Sequence, residues 1–174
     1  MKLLHQLSSW SESKSSWAVL FFTALGLQIT ALYFQYGMGI EPCIMCIYQR
    51  TAVYGILLSA LLVLIFNNVI TRVTAMVGWA VSAVWGFIIA REHVEILHST
   101  NPFATTCEFV PNFPSWAPLH EWLPVLFEAK GLCDEDSWHF LSLGMAEWMS
   151  IIFALYTVAV ALVLASRFVA RKPF

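Results

Sequence analysis

The sequence predicts an all-α membrane protein: a bundle of four transmembrane helices with a long external loop that carries a short interfacial helix. Three observations predict it. The 174-residue chain is 59% apolar and only 11% charged, with a mean hydropathy of +0.72, which is too hydrophobic for an ordinary soluble domain. Four apolar runs reach the length that a helix needs to cross a hydrocarbon core, about 17–25 residues. Between the third and fourth runs lies a long stretch interrupted by Pro102, Pro111, Pro114, Pro118 and Pro124. The net charge of −2 and the lack of any basic block argue against a nucleic-acid partner.

The runs are Trp17–Phe34, Tyr48–Phe66, Val73–Ala90 and Trp148–Ala165, read as one integral membrane domain over residues 1–174. The first is too long for a signal-peptide core and no small-x-small site follows it, so it is expected to be retained. Lys2, Lys14, Arg72, Arg167, Arg171 and Lys172 flank one side of the spans, whereas Arg50, Arg91 and Lys130 lie at or beyond the other ends. The richer side is expected to be cytoplasmic, with both termini inside. Residues 37–47 and 92–144 are then external, and Cys43, Cys46, Cys107 and Cys133 all fall there. In a bacterial cell that side is oxidising and disulfides persist; a eukaryotic organelle is also compatible with the composition.

Met1–Ser16 reads as a cytoplasmic tail, with Trp10 and Trp17 suited to the inner headgroup level. The first span ends in Tyr33-Phe34-Gln35-Tyr36, an aromatic belt, where Gln35 either sits in the interface or lines a ligand pocket. Gly55 and Ser59 in the second span, and Gly78, Ser82 and Gly86 in the third, repeat at four-residue intervals. Small residues so spaced let helix backbones approach closely in lipid. Asn67–Arg72 is expected to be a short turn, making spans two and three antiparallel neighbours.

The second span opens with Glu41-Pro42-Cys43-Ile44-Met45-Cys46-Ile47-Tyr48-Gln49-Arg50. Pro42 suits the first turn of a helix, which would make Cys43 and Cys46 early helical residues near free amide N–H groups and the positive end of the helix dipole. Positions 43, 46 and 50 then share a face, with Arg50 one turn below Cys46. A helix N-terminus and a cation both favour the reactive thiolate. Arg50 is read either as an interfacial anchor or as support for a Cys46 thiolate or an acceptor's developing anion.

His93 follows the third span in Arg91-Glu92-His93, where a histidine can donate a hydrogen bond or carry a proton, although an isolated interfacial histidine also occurs without a role. Cys107, flanked by Pro102 and Pro111, should lie on an extended, accessible segment. Cys133 precedes Asp134-Glu135-Asp136, carboxylates that disfavour a thiolate. A bridge between Cys107 and Cys133 would contribute roughly 3–4 kcal/mol through chain entropy, so these two read either as a loop staple or as a redox pair. Trp116, Leu119, Trp122, Leu123 and Leu126 form a rough helical stripe, read as a helix on the outer leaflet or as a small cap over the bundle.

Two cysteine pairs at a membrane surface suit thiol–disulfide exchange, in which a thiolate attacks a disulfide sulfur. Electrons arriving at Cys43 and Cys46 need an exit, and a lipid-soluble quinone is the natural acceptor. No phosphate cradle or dinucleotide fingerprint offers another cofactor. The run from Pro42 to Arg50 and the segment Pro102-Phe103-Ala104-Thr105-Thr106-Cys107-Glu108-Phe109, together with Glu92-His93 and Gly131-Leu132-Cys133, resemble the DsbB family of bacterial inner-membrane disulfide-forming enzymes over nearly the whole chain.

That resemblance implies that Cys107 forms the mixed disulfide with a DsbA-like periplasmic thioredoxin-fold protein, and that Cys133 is its partner and hands electrons on to Cys43. It further implies that Cys46 engages ubiquinone or menaquinone with support from Arg50, with His93 near the ring. One departure is the pair Thr105-Thr106 before Cys107, where the family pattern carries a single threonine, which shifts Cys107 relative to Phe103 and bears on partner docking. A doubly stapled structural protein gives Arg50 no task, and zinc bound by four cysteines on two external loops is a poor match to an oxidising compartment. A c-type haem is excluded because Ile47, not histidine, follows Cys46. The reverse reaction, as in vitamin K epoxide reductases, would depend on redox potentials.

Overall fold

The computed structural model describes residues 12–99, 110–133 and 138–170. Four long helices dominate these residues: α1 (Lys14–Leu32), α2 (Ile44–Ile65), α3 (Val69–His98) and a fourth helix that closes the bundle. The α3–α6 connection carries two single turns, α4 (Leu119–Trp122) and α5 (Pro124–Phe127), then a hairpin of β1 (His139–Phe140) and β2 (Leu143–Gly144) that leads into α6 (Met145–Ala170). Each long helix is apolar and long enough to cross a membrane. Helix α1 packs on α2, α2 on α3, and α3 on α6.

The helices outrun the apolar stretches that announced them, because hydropathy marks a hydrocarbon crossing whereas a helix ends where its backbone hydrogen bonds end. Ser13 caps α1 through its side chain. Asn68 and Thr71 form a reciprocal capping box that starts α3 at Val69, within the segment expected to be a turn. At its other end α3 continues to His98, so the connection expected to begin at Glu92 begins after His98. His93 is thereby a helical residue rather than a loop one. Past Leu32 the first helix continues as one π-helical turn, Tyr33–Gly37. Such turns re-aim side chains and recur at functional sites.

Small residues set the spacing of α2 and α3. A Cβ added at Gly55 would collide with the Ser82 hydroxyl, and one at Gly78 with the Ser59 hydroxyl. The two pairs run antiparallel, as the four-residue spacing predicts. Gly86 turns instead to α6, where a Cβ would collide with the fully buried Phe153 ring. Trp17, expected at the headgroup level, is buried and packs edge-on against Trp79 with centroids 6.2 Å apart. Trp10 lies outside the described residues.

The expected interfacial helix is not continuous. Leu123, at φ −136° and ψ 64°, breaks it into two turns ahead of Pro124, as the residue before a proline tends to do. Trp116 and Trp122 remain exposed, but Phe127 is buried against Tyr54 and Phe113. The segment therefore covers the bundle through Phe127 while presenting an apolar outer surface.

The hairpin turns at Leu141 and Ser142, both left-handed at φ 52° and 63°, as a two-residue type I′ turn requires. Neither residue signals such a turn, and the sequence reading missed it. Phe140 stacks on Trp138, and its carbonyl accepts a 3.0 Å hydrogen bond from Trp148 Nε1.

Candidate functional site

Cys43 is not inside the first turn of α2, as Pro42 had suggested, but caps it. Its backbone is extended (φ −76°, ψ 171°), and its Sγ accepts a 3.2 Å hydrogen bond from the Cys46 N–H. This capping geometry brings the two sulfurs to 2.6 Å, and both cysteines are free. Cys43 is buried and Cys46 half-buried. Hydrogen bonding of its S–H to Cys46, reinforced by burial, pushes the Cys43 thiol well above its ordinary value because both effects favour the neutral form.

His93 and Gln49 complete one side of the pair. His93 Nε2 lies 3.6 Å from Cys43 Sγ, and Gln49 Nε2 lies 3.3 Å from His93 Nδ1. Gln49 and His93 are only 3% and 4% exposed, respectively. Three donor atoms, from Cys43, Cys46 and His93, lie within 4.8 Å of one another, close enough to share a metal ion. The guanidinium of Arg50 in the same cavity opposes a dication there.

Arg50 is buried among three elements. Its Nη1 donates to Gln35 Oε1 at 2.8 Å and to the Leu126 carbonyl at 2.7 Å, tying the π-helical turn to α2 and to the α3–α6 connection. The Gln28 side chain donates to the Arg50 carbonyl at 2.9 Å. Gln35 is thus an arginine partner, which neither reading of the sequence had anticipated. Arg50 Nε is buried with no hydrogen-bond partner among the described residues, leaving an unspent donor on a buried cation.

Cys133 is disulfide-bonded and buried. It packs in one apolar cluster with Cys43 and Ile44. Two backbone hydrogen bonds, from Lys130 N and Gly131 N to the single carbonyl of Pro42, both 3.0 Å, fix its segment beside the α2 cap. Gly131 permits this approach, since a Cβ there would collide with the Glu41 carbonyl. Cys107 and the Thr105-Thr106 pair lie outside the described residues. Beyond them, the Asn112 N–H donates to the Tyr48 hydroxyl at 2.7 Å, attaching the connection to α2 one turn from the cysteines.

A cavity of about 890 Å³ joins these groups: Cys43, Cys46, Gln49, Arg50 and His93 line its polar side. Leu27, Ala31 and Phe34 line it from the α1 side, and Met149 and Ile152 from α6. Toward the chain termini, α1 and α6 meet where the Tyr156 hydroxyl donates to Thr23 Oγ1 at 3.0 Å. At the other end Phe34 and Trp138 close together, with centroids 5.1 Å apart. An apolar chamber with a few convergent polar groups suits a small, mostly apolar ligand.

The structure thus gathers Cys43, Cys46, Cys133, Arg50 and His93 at one end of the bundle. The sequence reading passed over Gln28 and Gln49, although a buried amide within a membrane-spanning run was a usable signal. The Leu126 carbonyl had no such signal.

Comparison with known proteins agrees with the geometry. A family profile described as disulfide bond formation protein DsbB matches residues 13–163. A protein of Pseudoalteromonas atlantica described as disulfide bond formation protein B is 48% identical over 166 residues, covering 95% of this chain and 97% of its own. A namesake from Pseudoalteromonas translucida is 45% identical over 97% of this chain and 99% of its own. Another from Shewanella frigidimarina is 47% identical over 89% and 92%, respectively.

Proposed function

The chain belongs to the DsbB family of disulfide bond formation proteins, and on that footing we propose that it is a thiol:quinone oxidoreductase of the bacterial inner membrane. It reoxidises a DsbA-like periplasmic thioredoxin-fold protein and passes two electrons to ubiquinone or menaquinone. Both termini are cytoplasmic and the cysteines periplasmic, a topology supported by the basic residues that flank the spans.

A thiolate of the partner attacks Cys107 in a Cys107–Cys133 disulfide, and the partner's second thiol displaces Cys107, so the partner leaves oxidised and both loop cysteines are reduced. The Cys133 thiolate then attacks Cys43 in a Cys43–Cys46 disulfide, and Cys46 departs as thiolate. Attack by Cys107 on Cys133 releases Cys43 and re-forms the loop disulfide, leaving the electron pair on Cys43 and Cys46. The shared packing of Cys133 and Cys43 supports this transfer.

The residues present fit a quinone: an apolar chamber between α1 and α6 with Cys46 and Arg50 on its polar side. The chemistry supplied by such a ring is acceptance of two electrons and two protons. Arg50 and Cys46 would hold the ring end. The carrying observation is that Arg50 and Cys46 line one apolar chamber, where a fixed positive group stabilises negative charge developing on an acceptor oxygen.

The test is anaerobic mixing of the purified protein, a reduced periplasmic dithiol protein and a quinone. Quinol should form in proportion to dithiol consumed. Dithiol oxidation without quinol, or none at all, rejects the assignment.

A further inference from the structure

The proposed reaction gives Gln49 no task, yet this amide is 3% exposed on α2, one turn from Cys46. A primary amide buried in a membrane bundle is costly unless its hydrogen bonds are met. One of them is made to a ring nitrogen: Gln49 Nε2 lies 3.3 Å from His93 Nδ1. An amide nitrogen only donates, so Nδ1 is the acceptor and carries no proton. A neutral imidazole has one N–H, which must then sit on Nε2, the atom 3.6 Å from Cys43 Sγ.

We propose that Gln49 is a positioning residue that acts through His93, holding the ring as the Nε2–H tautomer with its single donor aimed at the Cys43 sulfur. This inference rests on the function proposed above and deepens it. When Cys43 leaves the mixed disulfide with Cys133, the S–S electron pair goes to Cys43, and an N–H at that sulfur stabilises the charge as it forms. The same donor prevents neutral His93 from taking a proton off Cys43, so His93 supports the leaving sulfur rather than acting as its base. Second partners of this kind set which imidazole nitrogen is protonated at many functional histidines. The unpredicted extension of α3 to His98 brings His93 within reach of both groups.

Two measurements on the full-length protein test this. Nitrogen-15 NMR of histidine-labelled, reduced protein should show His93 with a bare Nδ1 and a protonated Nε2. This readout needs neither a variant nor quinone turnover, so it stands apart from failure of the proposed function, which would appear as wild-type protein that forms no quinol. An Nδ1–H tautomer in the wild type overturns the inference. In the second measurement, Gln49→Met should lower kcat for quinol formation by about tenfold or more, the range for a hydrogen bond to a charged group, with KM for a short-chain quinone within about twofold. Gln49→Glu should restore kcat only at pH low enough that the carboxyl–imidazole pair holds two protons; with one, the carboxylate accepts from Nδ1–H and Nε2 is left bare. Equal losses in both variants at every pH, or wild-type kcat in Gln49→Met, would reduce Gln49 to a packing residue. If Gln49→Met does not fold, the wild-type tautomer alone decides.

Discussion

Arg50 on α2 and Leu126 in the α3–α6 connection are joined by a 2.7 Å hydrogen bond from the guanidinium Nη1 to the backbone carbonyl. The same nitrogen holds Gln35 at 2.8 Å. One buried cation therefore connects three parts of the chain while facing the cavity that Cys46 lines. Placement of the connection that leads to Cys133 is thereby tied to a side chain that also lines the cavity.

Arg50→Met should consequently do two things. Loss of charge-assisted hydrogen bonds should lower stability by about 1.5–3 kcal/mol, and the KM for quinone should rise about tenfold while Cys107 still reacts with the partner dithiol. Unchanged quinone kinetics in a folded variant would leave Arg50 as a structural tie alone.

Cys46→Ser separates the two ends of the relay. Quinol formation should fall to background, whereas a mixed disulfide between Cys107 and the partner should still be trapped and visible on a non-reducing gel. Residual turnover near the wild-type rate would remove Cys46 from the acceptor side.

Gly131→Ala tests the approach of the two cysteine-bearing segments. The added Cβ meets the Glu41 carbonyl, so the segment must shift at a cost of about 1–3 kcal/mol, and its two hydrogen bonds to Pro42 should loosen. Rapid-quench trapping should show loop cysteines reduced normally but Cys43 and Cys46 reduced more slowly. A variant that transfers electrons at the wild-type rate would show that this contact does not govern the exchange.

The Cys43 thiol is held above its ordinary value of 9.0, first by its hydrogen bond to Cys46 and then by burial. In the reduced protein its thiolate should therefore appear only at alkaline pH, and pH-dependent alkylation of Cys43 should rise there. Cys46→Ala removes the first cause and leaves burial, so the profile should move to lower pH. A profile that stays in place would assign the shift to burial alone.

The sequence by itself determined the membrane class, the four helices and the Cys43-Ile44-Met45-Cys46 pair with Arg50 a turn away, because hydropathy and short spacings are local properties written in consecutive residues. It also carried the Gly55, Ser59, Gly78 and Ser82 packing pattern, since a four-residue interval maps onto one helix face. Only the tertiary structure decided that Cys43 caps α2, that α3 carries His93 beside it, and that Pro42 receives the Cys133 segment. The cap is a local choice of backbone angles, whereas His93 and the Cys133 segment lie far along the chain from the cysteine pair, and two of the distant partners in the site, the carbonyls of Pro42 and, for Arg50, Leu126, belong to the backbone. A backbone carbonyl is present at every position whatever the side chain, so no residue type announces it; packing of the bundle selects which ones are used.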